Sequence, residues 1–90
     1  MAMNRTGEKP VLLTRKEKQL LELLESNPGR CLSRPFLLRH VWGYSDEAKT
    51  RTVDVHVSRL RKKLVERRDI AIHAVVRRGY MLERHATAIA

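Results

Sequence analysis

The hydrophobic and polar positions of this chain predict three helices followed by a β-hairpin. Thr14 and Glu17 mark the first helix because they form a capping box, in which the hydroxyl and the carboxylate satisfy free amides at a helix start. Asn-Pro-Gly at residues 27–29 ends this helix. Between these signals, leucines recur at helical spacing and form one apolar face: Leu20, Leu21, Leu23 and Leu24.

A second helix is predicted to follow a short strand at residues 30–32. Ser33 can cap this helix, and Pro35 is tolerated in its first turn because the first amides of a helix have no intrahelical partner. Gly43 ends the helix, and residues 43–49 form a polar loop after it. Four side chains supply the buried face: Leu37, Leu38, Val41 and Trp42.

Residues 50–67 form the third predicted helix, and its two faces differ in charge. At about 100° per residue, four apolar side chains fall within a stripe of roughly 60°, which we expect to face the core: Val53, Val57, Leu60 and Leu64. The opposite face is mostly basic, but it contains Val55. An apolar side chain gains nothing from facing water, whereas it can contact the methyl group of thymine in DNA. Asp54 lies away from the basic face and is expected to be structural.

After the third helix, the spacing of the apolar residues changes from helical to alternating. Residues 70–76 and 80–82 predict two short strands, and the glycine-containing turn between them makes a hairpin. The predicted fold is mainly α, in the α+β class: a winged helix-turn-helix with three helices, a small antiparallel sheet and a C-terminal β-hairpin as the wing. We expect the domain to span residues 11–83, with flexible termini at residues 1–10 and 84–90.

The charge of the chain favours a nucleic acid as its partner. The 90 residues include 19 Lys and Arg against 10 Asp and Glu, a formal net charge of +9. Residues 49–68 carry eight basic and two acidic side chains, so two-thirds of the excess lies in and around the third helix. An α-helix fits the major groove of DNA, where Arg and Lys donate to guanine. Aromatic residues make up only 4%, fewer than a membrane-binding amphipathic helix needs.

Several segments resemble one family of DNA-binding domains, the output domains of OmpR/PhoB-type response regulators. The match spans residues 13–82, and the block at residues 51–64 is its most specific part. The segments are Leu13-Thr14-x-x-Glu17, Asn27-Pro28-Gly29-Arg30, Val41-Trp42-Gly43, residues 51–64 and Gly79-Tyr80-x-Leu82. This resemblance implies sequence-specific binding to double-stranded DNA and control of transcription within a two-component phosphorelay system.

The resemblance also implies roles for individual residues of the third helix, which enters the major groove in that family. The residues implied to contact bases are Arg59 and Lys62, with Val55 and Ser58 beside them. The residues implied to contact phosphates are Trp42, Arg51, Thr52, His56, Arg61, Lys63 and Tyr80. Phosphate contacts set register and affinity, whereas base contacts set sequence preference.

The chain departs from the family pattern in two places. Family members carry Thr-Val-Arg-Gly-x-Gly-Tyr in the wing, whereas this chain has Val76 where the arginine and Arg77 where the first glycine would stand. We therefore expect Arg77 or Arg78 to reach the minor groove, with a changed turn shape. Family members also have a four-stranded sheet before the first helix, but only 13 residues precede Thr14. That sheet is expected to be truncated or missing, with at most one strand at residues 11–13.

The resemblance implies partners beyond DNA. Relatives are driven by an N-terminal receiver domain, so this chain is expected to be an excised output domain or a stand-alone regulator. The loop at residues 43–49 resembles the one through which relatives contact RNA polymerase, although a solvated connector explains it equally well. A dimer is expected on DNA, because relatives bind repeated half-sites as head-to-tail pairs.

Other classes of function stay open at this point. An RNA-binding module would need grouped aromatic side chains for base stacking, and a protein-interaction winged helix would not need an outward basic face. No pattern suggests an enzyme or a cofactor, and the histidines and Cys31 lack metal-ligand spacing. We expect Cys31 to be a small buried hydrophobic residue. A single cysteine and the lack of a long apolar run indicate a cytoplasmic protein without a membrane segment.

Overall fold

In the computed structural model, three α-helices pack on a three-stranded antiparallel sheet. The structure describes residues 12–44 and 46–85. The elements are α1 (Arg15–Glu25), β1 (Leu32–Ser33), α2 (Arg34–Trp42), a 3-10 turn (Glu47–Lys49), α3 (Arg51–Lys63), β2 (Ile70–Val75) and β3 (Gly79–Arg84). The predicted winged helix-turn-helix is confirmed, and the hairpin of β2 and β3 is its wing.

The first two helices begin where their caps predict. The Thr14 hydroxyl accepts a hydrogen bond from the Glu17 amide at 3.2 Å, and the Thr14 amide donates to Glu17 Oε1 at 2.9 Å. The Ser33 hydroxyl accepts from the Phe36 amide at 3.2 Å and caps α2. Gly43 ends α2 in the left-handed conformation, with φ +79°, which glycine adopts without steric cost.

The first strand begins later than predicted. It contains Leu32 and Ser33 instead of residues 30–32, and it pairs with β3 through Leu32 and Tyr80. Leu32 is buried, so the alternation of side chains along an extended segment turns its neighbours outward. The prediction that Cys31 is buried is therefore wrong, because this residue is exposed.

The third helix is shorter than the predicted span of residues 50–67, because it ends at Lys63. Leu64 caps the helix, and the chain then turns, with the Arg67 amide donating to the Leu64 carbonyl at 2.9 Å. Arg67 Nη2 also donates to Asp69 Oδ2 at 2.6 Å. This pair holds the turn that leads into β2.

The sheet has the order β1-β3-β2, and β2 and β3 pair along their whole length. The tight turn between them contains residues 76–78. Gly79 follows the turn and lies against β1, where an added Cβ would stand 1.9 Å from the Leu32 carbonyl oxygen. The two strands approach so closely there that only glycine fits.

One hydrophobic core joins the helices to the sheet. The predicted apolar stripe of α3 is confirmed as part of this core, while Leu23 and Trp42 pack at its edge and are only partly buried. The buried side chains include Leu20, Leu21, Leu24, Leu37, Leu38, Val41, Val53, Val57, Leu60, Leu64, Ile72 and Leu82.

The ends of the described chain show two differences of detail. β3 continues through Arg84, one residue beyond the expected end of the domain, and the His85 amide donates to the Asp69 carbonyl at 2.8 Å. Residues 12–14, which precede α1, form no strand. Residues 1–11 and 86–90, on which the other predictions about the termini fall, lie outside the described residues.

Candidate nucleic-acid interface

The outward face of α3 is exposed and basic. Val53, Val57 and Leu60 turn inward and are 0–1% exposed. Side chains three, four and seven positions apart share one face of a helix, so the four residues predicted to contact bases lie together on the opposite side. All four are exposed: Val55, Ser58, Arg59 and Lys62. Arg51 and Arg61 are exposed as well.

Three of the predicted phosphate contacts meet where the end of α2 approaches α3. His56 Nδ1 lies 2.8 Å from the carbonyl oxygen of Thr52, which can only accept, so Nδ1 carries a proton and Nε2 is the nitrogen that can bind an external partner. The ring of Trp42 meets the ring of His56 edge to face, with the centroids 4.8 Å apart. All three residues are half-buried, so this corner is formed before any partner binds.

Asp54 joins three elements through one carboxylate oxygen. Its Oδ1 accepts from Tyr80 Oη at 2.6 Å and from Arg34 Nε at 2.7 Å, and the Arg34 guanidinium lies 5.1 Å from the centre of the Tyr80 ring. Burial and the bond to Asp54 raise the pKa of the Tyr80 hydroxyl, so this hydroxyl remains a donor. The same carboxylate raises the pKa of Arg34. These three residues are termed the Asp54 cluster below.

The Asp54 cluster contains one residue that is predicted to contact phosphate and one that has no predicted role. Tyr80 is predicted as a phosphate contact, but its hydroxyl is bonded to Asp54 and the residue is only 6% exposed. Arg34 is not predicted to have a role. In the sequence, the pair of Arg34 and Asp54 is visible only as a basic residue directly after the cap of α2 and an acidic residue off the basic face of α3. The two residues lie 20 positions apart, beyond the reach of local patterns.

Lys63 also binds within the protein. Its Nζ lies 2.6 Å from Glu17 Oε1, and Glu17 is only 1% exposed. Burial raises the pKa of Glu17, but hydrogen bonds from Lys63 and Thr14 outweigh burial and hold this pKa below its ordinary value of 4.5. Lys63 therefore joins the end of α3 to the start of α1 and does not extend the outward face.

The two arginines predicted to reach the minor groove lie at the tip of the wing. Arg77 and Arg78 are exposed in the turn, beside Val76, which is 81% exposed. Arg77 has φ +63°, a left-handed conformation that costs a residue with a side chain roughly 1–2 kcal/mol. An open groove of about 450 Å³ separates the wing from α3, with Ser58 and Lys62 on the helix side.

The loop after α2 is held by its own contacts. The Lys49 ammonium lies 4.9 Å from the centre of the Tyr44 ring, and Asp46 Oδ1 accepts from the Ala48 amide at 3.0 Å. Within residues 12–44 and 46–85, no three His, Cys, Asp or Glu side chains come together as a metal site. None of the described helices is long and apolar enough to cross a bilayer.

Comparison with known proteins finds relatives over most of the chain. The profile of the family "Transcriptional regulatory protein, C terminal" matches residues 7–82. The heme response regulator HssR of Staphylococcus saprophyticus is 44% identical over 82 residues, which cover 89% of this chain and 36% of HssR. The transcriptional regulatory protein TrcR of Mycobacterium tuberculosis is 44% identical over 73 residues, which cover 81% of this chain and 28% of TrcR. The chain thus spans about a third of the length of these relatives.

Solved structures show the same architecture. The DNA-binding domain of Bacillus subtilis CssR is 33% identical, with a TM-score of 0.74 over 88% of this chain and 85% of that one. The DNA-binding domain of Klebsiella pneumoniae RstA, solved with the RstA box, is 33% identical, with a TM-score of 0.74 over 88% of this chain and 80% of that one. With its outward basic helix and its wing, this chain belongs to the family "Transcriptional regulatory protein, C terminal", the winged helix-turn-helix domains of OmpR/PhoB-type response regulators.

Proposed function

We propose that this chain is the output domain of a two-component response regulator and binds double-stranded DNA by inserting α3 into the major groove. The observation that carries the proposal is a row of exposed side chains on α3, opposite a stripe that is fully buried. The row consists of Val55, Ser58, Arg59 and Lys62. The related RstA domain was solved with its RstA box, and the related AdeR domain with an intercistronic region.

The proposed base contacts lie in the middle of this row. Arg59 and Lys62 are exposed and about one helical turn apart, so both can reach base edges in one groove, where Arg and Lys donate to guanine O6 and N7. Val55 and Ser58 lie beside them. Val55 is 40% exposed and suits the methyl group of thymine.

The proposed phosphate contacts flank the row. They are Trp42, Arg51, Thr52, His56 and Arg61. His56 Nε2 can donate to a phosphate when the imidazole is protonated, because Nδ1 already carries the proton bonded to Thr52. Lys63 and Tyr80 are left out of the proposed interface because Glu17 and Asp54 bind their polar atoms.

The tip of the wing is proposed to enter the adjacent minor groove. Arg77 and Arg78 are both exposed there, and a narrow A·T-rich minor groove attracts arginine through its enhanced negative potential. This proposal predicts that base pairs outside the site of α3 influence affinity without direct hydrogen bonds to their edges.

Duplex DNA explains this surface better than single-stranded RNA or a protein partner. RNA-binding modules stack bases on grouped, exposed aromatic rings. In this chain Tyr80 is buried and Trp42 is half-buried. The two exposed rings lie apart, Phe36 in α2 and Tyr44 in the loop after α2. The cores of protein interfaces are depleted in charged residues, whereas the centre of the outward face of α3 holds Arg59 and Lys62.

The longer relatives suggest the setting in which the domain works. We propose that the full-length protein carries an N-terminal receiver domain, that two copies bind DNA together, and that the protein works in the cytoplasm without a catalytic role. The loop at residues 43–49 is the proposed contact for RNA polymerase. Its exposed Tyr44 ring, 45% accessible, supports a role in protein recognition.

The decisive experiment first selects a preferred duplex from a random pool and then compares binding to this duplex and to random DNA at several salt concentrations. Arg59→Ala should weaken binding to the selected duplex by about 1–3 kcal/mol and leave binding to random DNA nearly unchanged. Arg61→Ala should weaken both and lower the salt slope by about one, because it removes a phosphate contact.

The matched control is Arg15→Ala, since Arg15 is an exposed arginine of α1 outside the proposed interface. It should leave the preference and the salt slope unchanged. Equal losses of Arg59→Ala on both duplexes would show that Arg59 contacts only the DNA backbone. No association of the natural chain with duplex DNA at low ionic strength would refute the proposed function.

A further inference from the structure

We infer that the Asp54 cluster holds the wing at a set angle to α3 and thereby determines which flanking base pairs the wing contacts. Asp54, Arg34 and Tyr80 are positioning residues in this inference, and none of them needs to touch DNA. The inference rests on the proposed function, because the angle matters only if α3 and the wing bind the same duplex.

The cluster connects the elements that a duplex would span. Arg34 is the first residue of α2, Asp54 lies in α3, and Tyr80 is the second residue of β3. Both donors converge on the same oxygen of Asp54, at 2.6 and 2.7 Å. Tyr80 pairs with Ala74 across the hairpin, so its bond to α3 acts on both strands of the wing.

Besides the Asp54 cluster, the wing is held by β1, whose Leu32 and Ser33 pair with Tyr80 and Gly79 of β3; β1 leads directly into α2, so this pairing ties the wing to α2 and not to α3. The base of the hairpin is held in the core through Ile72 and Leu82. Beside the cluster, an open groove of about 450 Å³ lies between α3 and the hairpin, with Ala74 and Tyr80 on the hairpin side, so side-chain packing does not fill that space. Among the residues that the structure describes, the bond between Tyr80 and Asp54 is the one hydrogen bond that joins α3 to the hairpin.

The angle of the wing to α3 determines where the tip of the wing lies along a bound duplex. Arg78 lies two residues before Tyr80, and a strand rises about 3.3 Å per residue, so the tip lies only several ångströms beyond the cluster. Successive base pairs are about 3.4 Å apart. On a lever of roughly 7 Å, a rotation of the wing by roughly 30° displaces the tip by about one base-pair step and so moves Arg77 and Arg78 to a different base pair.

The test is a double-mutant cycle on the selected duplex with its flanking base pairs. Tyr80→Phe removes only the hydroxyl, and we expect it to weaken binding by about 2- to 10-fold, the range for one hydrogen bond. In a background with both Arg77→Ala and Arg78→Ala, Tyr80→Phe should have no further effect, because the wing no longer contacts DNA. Tyr44→Phe removes the hydroxyl of the other tyrosine and serves as the control, with no effect expected in either background.

A second measurement follows the angle without DNA. Spin labels are attached after Lys62→Cys and Arg78→Cys in a Cys31→Ser background, and their distance distribution is recorded. Tyr80→Phe should broaden or shift this distribution while circular dichroism shows an intact fold. An unchanged distribution would overturn the inference.

The outcomes separate this inference from the proposed function. If Tyr80→Phe weakens binding equally with and without the wing arginines, or has no effect while Arg59→Ala weakens specific binding, the positioning role is wrong and the proposed function stands. If Arg59→Ala also leaves specific binding unchanged, the proposed function itself fails.

Discussion

The outer face of α3 and the tip of the wing both present exposed arginines, but the backbone beneath them is held differently. Under α3, Val53, Val57 and Leu60 are buried in the core and the helix runs unbroken for 13 residues. The three residues of the turn at the tip, 76–78, are exposed, and the Arg78 amide donates to the Val75 carbonyl at 2.9 Å across the turn.

This difference bears on how each surface can recognise DNA. A side chain can form specific hydrogen bonds to base edges only if the backbone beneath it is held in place, and the buried face of α3 holds the backbone of this helix. A minor groove is recognised more by its width and potential, which the exposed arginines of a narrow turn can match. Under the proposed function, we therefore expect α3 to set sequence preference and the wing to set shape preference, with the Asp54 cluster between them.

The largest effect is expected from a substitution at the base of the tip, where β3 lies against β1. Gly79→Ala should lower the free energy of unfolding by about 3 kcal/mol, because the added Cβ would clash with the Leu32 carbonyl oxygen and force β1 away from β3. Urea denaturation measures this loss. Gly29→Ala is the matched control, since Gly29 also has positive φ, at +78°, but faces open space. It should cost about 1 kcal/mol, and equal losses for the two variants would contradict the steric argument.

A second change tests how firmly the end of α3 is held. Glu17→Gln should cost about 2 kcal/mol at neutral pH, because it removes the charge that Lys63 binds. The folded-state pKa of Glu17 is lowered, so its contribution is present above the ordinary value of 4.5 and is lost as the pH falls through the folded-state pKa. The stability difference between natural chain and variant should vanish in acid. Glu22→Gln, at an exposed position of α1, is the control. A difference that persists at low pH would show that the charge of Glu17 is not responsible.

The smallest effect is expected at the tip itself, where one substitution should stabilise the protein instead of destabilising it. Arg77→Gly should raise the free energy of unfolding by about 0.5 kcal/mol, because glycine adopts φ +63° without strain, partly offset by the greater freedom of the unfolded chain. Arg78→Gly, at a position without positive φ, should instead lower it by a similar amount. Thermal unfolding of both variants measures these two changes in the free energy of unfolding. If both changes act in the same direction, the tip is not strained at residue 77.

Local signals in the sequence predict most of the fold. The capping box at Thr14, the cap at Ser33 and the glycine at residue 43 act within three or four residues, and the structure confirms all of them. The buried stripe of α3 also follows from helical spacing alone. The end of α3 is missed because the pair of Arg67 and Asp69, which holds the following turn, leaves no periodic signal.

The sequence predicts the candidate site only where the helical period of α3 decides which side chains face outward. The row from Val55 to Lys62 requires nothing but the period of α3. By contrast, Lys63 meets Glu17 across 46 positions, and Tyr80 meets Asp54 across 26. Both polar side chains look free in the sequence and are bound in the structure. Pairs so distant depend on the packing of whole elements, which local patterns do not encode.

The position of Trp42 has a practical consequence. The sequence contains one tryptophan, and its half-buried ring lies against His56 at the edge of the proposed interface. The intrinsic fluorescence of the protein therefore arises almost entirely from one site at the edge of the proposed interface. Under the proposed function, we expect its emission to change when duplex DNA is added, so binding can be followed without any attached dye.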